Sequence, residues 1–259
     1  MNLNNLTKLL MGCLAFIGLT TQSCSSSEEP ANMEGTGNIT LSVTAQASFT
    51  KAIDESTYGN VNNYTVQILN NDGASVKEFL YSDKPDKINL NNGTYTLKAF
   101  YGTESNASRT SFYVEGSNTF QINGEPLQNV SVTCAPTCGK VAVKFASNMS
   151  EYFSDYSVVY ETAALKAAGS TAVWAKDDTE PWYLKVDPKG ETVTASIQVT
   201  RLSDNKTATV EKTYTLAPSK SWTLSIAPQD NNGNIGIEIT IDESTDDEVI
   251  DIEVPSEWL

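Results

Sequence analysis

The sequence contains no histidine. That absence removes Ser-His-Asp and Cys-His nucleophilic catalysis, and the imidazole ligands on which the common zinc sites depend. Cysteine is scarce as well. Of the 4 in the chain, Cys13 and Cys24 lie near the start, so only Cys134 and Cys138 serve the rest. A four-ligand metal cluster cannot be assembled from them, and their spacing lacks the C-x-x-C form of a redox motif. Basic residues are few, 17 Lys and Arg against 32 Asp and Glu, for a formal charge of −15. Such a surface lacks the basic footprint that phosphate binding needs, which excludes nucleic acid as a partner. There is no G-x-S-x-G, Walker-type or G-x-G-x-x-G stretch. Carboxylates are plentiful, so residue types alone permit a glycosidase pair. That chemistry needs two carboxyls about 5–9 Å apart in a cleft, one with a raised pKa. Here the acids sit mostly in turns and near the C-terminus, where solvent keeps them ionised. The chain reads as non-enzymatic, with no cofactor and no metal site.

What is present begins with residues 1–30. Lys8 is followed by an eleven-residue apolar run from Leu9 to Leu19 and then by Thr20-Thr21-Gln22-Ser23-Cys24. The run fits the ~7–15 residues of a signal-peptide core and is too short for the ~20 that cross a bilayer. A small residue directly before a cysteine at the end of such a core resembles a bacterial lipobox. This implies a signal peptide over 1–23, cleavage before Cys24 and acylation of Cys24. Residues 24–36, with Ser25-Ser26-Ser27-Glu28-Glu29-Pro30, cannot build a core and read as a tether. The acidic pair resembles the surface-export signal of Bacteroidetes lipoproteins. Two or more acyl chains, at about 0.8 kcal/mol per buried methylene, hold a protein lastingly where one would not. The expected location is the outer membrane, surface-exposed, with the lipid as the membrane contact.

Beyond the tether, apolar and polar residues alternate with period two, the mark of a half-buried strand. Ile39, Leu41, Val43, Ala45 and Ala47 share one face. Strands follow at Tyr64–Leu69, Val76–Tyr81, Lys87–Leu90, Tyr95–Tyr101, Phe112–Val114, Thr119–Ile122 and Val130–Cys134. Asn70-Asn71-Asp72-Gly73 and Asn91-Asn92-Gly93 are hairpin signals between them. Seven or eight short strands in about 100 residues indicate a β-sandwich. The pattern restarts at Val141, Val143 and Phe145. It continues through Ser157–Glu161, a short helix at Ala163–Ala168, Thr192–Leu202, an Asp204-Asn205-Lys206 turn into Thr207–Leu216, then Trp222–Ile226 and Ile235–Ile241. Asp230–Asn234 looks like half of a calcium loop without its downstream ligand and reads better as a hairpin turn. The expected architecture is all-β. It comprises two tandem sandwich domains over 37–134 and 139–242, hinged at about 134–139, and an acidic segment over 243–259. From Asp242 to Leu259 there are eight acids and no base. Ile250, Ile252 and Val254 nonetheless alternate with Asp251 and Glu253, so this is a strand, either waiting for a partner or already paired.

Two groups carry alternative readings. Cys134 and Cys138 are either a disulfide, with Pro136 supplying the bend, or two unpaired and mostly buried thiols. Trp174, Trp182 and Tyr183 are either core aromatics or an exposed platform that stacks on sugar rings.

The signal with Cys24, Phe49-Thr50-Lys51-Ala52 after the first strand, Leu90–Ala99 and the Val130–Cys134 strand running into Lys140–Phe145 together resemble the fimbrillin-like surface lipoproteins of Bacteroidales. The resemblance implies two transthyretin-like, Ig-like Greek-key sandwiches. It implies a role in cell adhesion or as a fimbrial subunit or accessory component, with other fimbrial subunits or host or glycan ligands as partners. In the pilus-forming members, a cut after Arg or Lys at the end of the first strand frees a groove for a neighbour's terminal strand. By position Lys51-Ala52 is the cut, with Lys where Arg is usual, and Ile250, Ile252 and Val254 belong to the donated strand.

Overall fold

The computed structural model describes residues 35–46, 49, 56–124, 126–231, 234–243 and 246–253. The signal peptide, Cys24, most of the tether, Lys51, Ala52 and Val254 therefore lie outside the described residues. Alternation governs what is seen. In β1 (Thr36–Ala45), Ile39, Leu41 and Val43 are buried while the residues between them point to the other face. Seven further strands complete the N-terminal half: β2 (Thr65–Asn70), β3 (Ser75–Leu80), β4 (Ile88–Asn91), β5 (Gly93–Gly102), β6 (Ala107–Ser108), β7 (Tyr113–Ile122) and β8 (Gln128–Pro136). β1 lies between β4, antiparallel, and β8, parallel. β3, β2, β5 and β7 form a second ladder in that order. Ile39, Leu41, Val130 and Val132 from one layer and Val66, Ile68, Leu97 and Ala99 from the other share one buried cluster.

The C-terminal half repeats this plan. Its strands are β9 (Cys138–Phe145), β10 (Phe153–Glu161), β11 (Ala172–Trp174), β12 (Trp182–Lys185), β13 (Glu191–Arg201), β14 (Thr207–Leu216), β15 (Ser221–Asn231), β16 (Asn234–Glu243) and β17 (Asp246–Glu253). β9 lies between antiparallel β12 and parallel β15, as β1 lies between β4 and β8. β11-β10-β13-β14 matches β3-β2-β5-β7. This correspondence of pairings, with no residue-by-residue repeat, gives the two halves one all-β plan. The second half adds the β16–β17 hairpin on the outer edge of β15. Its buried cluster runs from Val141 to Ile241 and is separate from the first.

Local turn chemistry places some connections and misplaces one. At Asn70–Gly73 the Asn70 side-chain oxygen accepts from the amides of Asp72 (3.1 Å) and Ala74 (2.8 Å), and Gly73 sits at φ +79°. That turn joins the β2–β3 hairpin as expected. Asn205, at φ +58°, does the same between β13 and β14. Asn91-Asn92-Gly93 is not a hairpin. β4 pairs with β1, whereas β5 pairs with β2 and β7, so the turn carries the chain from one layer to the other. An Asn-Gly sequence fixes a tight bend but not the sheet that the next strand joins.

Where the layers of the first half meet, β7 crosses β8 with two paired positions, Val114 with Pro136 and Glu115 with Ala135. A Cβ on the next residue, Gly116, would stand 2.3 Å from the Thr133 carbonyl oxygen and 2.9 Å from Val132 Cγ2. Backbone cannot swing aside as a flexible side chain can. Gly116→Ala should therefore lose about 2–3 kcal/mol, as overpacked sites do. Urea melts should show a lower midpoint at unchanged slope; an unaltered midpoint would mean that the crossing is looser than described.

The expected hinge at 134–139 is corrected. Only Thr137 separates β8 from β9, and the two halves belong to one compact unit, Met33–Leu259. β6 lies in the β5–β7 connection of the first half yet pairs with β12 of the second, Ser108 to Tyr183 and Ala107 to Leu184. Tyr183 and Cys138 in turn are buried in the first half's core. Each half thus holds a piece of the other.

Candidate functional site

The aromatic trio singled out from the sequence sits at this junction and does not form an exposed platform. Trp174 is fully buried; its indole N–H donates to the Glu180 carbonyl (2.9 Å) and its ring meets Tyr160 edge-on at 5.3 Å. Tyr183 is buried between Phe49 and Phe112, at 5.5 and 4.9 Å. Trp182 is half-buried, donates to the Val173 carbonyl (3.2 Å) and carries the Arg109 guanidinium 4.5 Å from its ring centre. The stacking reading is corrected for these residues. The rings are covered by the side chains packed on them, Phe49 and Phe112 on Tyr183, Tyr160 on Trp174 and Arg109 on Trp182.

Arg109, which sequence reasoning missed, is the polar centre of the junction. Its guanidinium donates to both carboxylate oxygens of Asp178 (2.7 and 2.6 Å), to the Glu180 carbonyl (2.9 Å) and to the Val173 carbonyl (2.7 Å). It comes from the first half and all four acceptors belong to the second. A planar fork stacked on an indole is a task that lysine cannot perform. A faint signal existed: only 2 of the 17 basic residues are arginine. The other, Arg201, also forks a carboxylate, that of Asp204 (2.9 and 2.6 Å). Lys140, buried in the same region, places Nζ 5.8 Å from the Phe49 ring and 5.7 Å from that of Tyr183.

The carboxylates that depart clearly from ordinary behaviour go the wrong way for a general acid. Hydrogen bonding from Lys185 lowers Glu104, and hydrogen bonding from Arg201 lowers Asp204 to about 2. Among the described residues, no group of three or more His, Cys, Asp and Glu is disposed to hold a metal ion.

Cys134 and Cys138 are buried thiols with no disulfide between them, so of the two readings the reduced, buried pair is found and the bridge is not. Pro136 stays within β8 and the bend falls at Thr137, while the Cys134 thiol turns inward and donates to the Ala99 carbonyl at 3.4 Å. Burial pushes that thiol up to about 12.

The strand preceding Lys51 is deeply held. β1 is bonded to β4 and β8 along its two edges, and Ile39, Leu41 and Val43 are at most 6% exposed. At about 1.5–3 kcal/mol each, those three side chains supply an amount comparable to the whole stability of a domain. Phe49, two residues before Lys51, is itself buried against Phe112 at 5.2 Å. A chain break after Lys51 would thus leave β1 seated until another strand replaced it. At the opposite end, the segment with Ile250 and Ile252 is already paired: β17 runs antiparallel to β16, with Ile250 opposite Ile239.

Solved structures with a similar course of the chain exist at low identity. A fimbrial assembly protein from Parabacteroides distasonis shares 12% identity at TM-score 0.44, over 85% of this chain and 99% of that one. The fimbrial anchor protein Mfa2 from Porphyromonas gingivalis shares 9% at TM-score 0.42, over 81% of this chain and 98% of that one. No curated protein matches the sequence. A family described as a domain of unknown function, DUF4493, matches residues 35–256, from the residue before β1 to beyond β17. With nearly all of both halves inside that match, the chain belongs to the DUF4493 family.

Proposed function

We infer that this protein is a non-enzymatic lipoprotein of the outer membrane, exposed at the cell surface, that serves in adhesion or as a fimbrial subunit or accessory component. The observation that carries the reading is Ser23-Cys24 at the end of the Leu9–Leu19 apolar run, followed by Ser25-Ser26-Ser27-Glu28-Glu29-Pro30, which cannot pack a core. Among the described residues no helix is long and apolar enough to cross a membrane. The two separate buried clusters support a division into sandwich domains over about 37–134 and 139–242. A fimbrial role is also what the names of the two structures above state for those proteins. Within this reading, Lys51-Ala52 is the processing site and the strand with Ile250, Ile252 and Val254 is the one exchanged between subunits.

Replacing Cys24 by alanine in the native cell tests the anchor. The wild-type protein should fractionate with the outer membrane and be digested by protease added to intact cells. The Cys24→Ala protein should lose its membrane association. A variant that remains in the membrane fraction would sink the lipid-anchor reading.

A further inference from the structure

We propose that the crevice at the end of β5, walled by Tyr58, Phe100 and Tyr101, is a binding site for a neutral saccharide. Phe100 and Tyr101 are adjacent in β5 and so point to opposite faces of the sheet. The strand ends one residue later at Gly102, whose φ of +90° turns the chain away. A Cβ there would lie 2.0 Å from the Phe112 carbonyl oxygen, so the turn is reserved for glycine; at this strand end the two half-buried rings, one from each face, both line an opening of about 450 Å³. That volume falls in the range of small-molecule sites.

The third ring is fixed from behind. Tyr58 stacks on Phe112 at 3.8 Å and 15°, and its hydroxyl accepts the Phe112 amide at 3.2 Å. Tyr101 meets Tyr58 edge-on at 5.2 Å. Rings already held in place lose little freedom when a ligand arrives. Thr65, Thr103 and Asn63, neutral hydrogen-bonding residues, line the same opening, the Asn63 amide nitrogen donating to the Thr57 carbonyl at 3.2 Å. In a chain of formal charge −15, this lining itself carries no charged side chain, and Lys98, whose Nζ stands 5.5 Å from the Phe100 ring centre, is neutralised by its ion pair with Glu115 at 3.0 Å. Aromatic faces attract the polarised C–H faces of a pyranose ring, and the neutral rim matches its hydroxyls without demanding a charge. The combination selects an uncharged sugar over a phosphate, a sialylated glycan or an acidic peptide. Thr65 also lies between Phe100 and Leu80 in register, and Leu80 is 47% exposed, so apolar surface continues beyond the crevice for a longer chain.

The site gives the adhesive role a ligand class, and rests on that role only for its biological use. The test uses the full-length chain in detergent micelles, with neutral glucan, mannan and galactan oligosaccharides of four to six units (about that length) as probes, followed by saturation-transfer NMR and titration calorimetry. At least one series should bind. Phe100→Ala should weaken it about tenfold, the worth of one stacked ring. Phe145→Ala, in the separate crevice beside Tyr156, should leave it unchanged. Tyr101→Ala should weaken it likewise, whereas Tyr101→Phe, which keeps the ring, should bind nearly as wild type. No binding by any series, binding indifferent to Phe100→Ala, or occupation of the crevice by a proline-rich peptide instead would overturn the proposal. Those failures leave the Cys24 anchor intact, just as loss of the anchor leaves soluble binding intact.

Discussion

Arg109→Ala will lower the stability of the whole chain by about 3 kcal/mol, because it leaves the Asp178 carboxylate in a partly enclosed site without its partner. Two carbonyls, of Val173 and Glu180, lose a charged donor at the same time. For a chain of this size, that is a fall of roughly 6–12 °C in Tm. The shape of the transition matters as much as its position. With β6 in the second half's sheet, Tyr183 in the first half's core and Arg109 between them, the wild type should unfold in one calorimetric transition. Arg109→Ala should broaden or split it, since the remaining links, among them the short β6–β12 pairing, the exposed Lys185–Glu104 ion pair, the Ser219–Pro136 hydrogen bond and the aromatic contacts, are individually weak. Arg109→Lys keeps the charge but cannot fork, and should fall near the alanine variant. A wild type that melts in two steps, or an Arg109→Ala protein with an unmoved Tm, would show that the halves are independent.

Raising the pH above the ordinary values of its buried phenols and thiol should unfold the protein. Burial raises Tyr160, Tyr214 and Tyr64, and holds the Cys134 thiol at about 12 against an ordinary 9.0. Each of these groups keeps its proton more tightly in the folded chain than in the unfolded one. Their contribution is complete below the ordinary values of 9.0 and 10.0 and drains away as pH climbs toward the folded ones. Tyr160 and Tyr214 are the most demanding, since the half-buried Tyr214 hydroxyl donates to that of the fully buried Tyr160 and burial disfavours either phenolate. Tyrosinate absorbance should rise in two stages, the second of them the raised phenols of Tyr64, Tyr160 and Tyr214 together with the loss of far-ultraviolet ellipticity. Tyr160→Phe with Tyr214→Phe should move that second stage to higher pH. All 11 tyrosines titrating in one stage near pH 10, with the fold intact, would contradict the burial described.

Much of the molecule was legible because strands report themselves locally. Ile39-Thr40-Leu41-Ser42-Val43 announces its two faces, and Asn70–Gly73 announces its turn. What escaped was non-local. β6 is two residues long and owes its existence to β12, seventy-odd positions away, so no periodicity could reveal it. Asn91-Asn92-Gly93 has the chemistry of a hairpin, but the pairing energy of β1 and β2 decides where its flanking strands go. Trp174, Trp182 and Tyr183 are clustered in sequence, and only the fold tells that Arg109 and Phe49 cover them. The proposed saccharide crevice was missed for the same reason: Tyr58 and Tyr101 meet only after β5 and the segment before β2 are brought together.

Mass spectrometry of the protein extracted from its native envelope tests the anchoring most directly. The predicted N-terminal residue is Cys24 with a diacylglycerol on sulfur and an acyl chain on nitrogen, alone or alongside a second population that begins at Ala52. A chain that begins upstream of Cys24, or carries a bare Cys24 thiol, would contradict it.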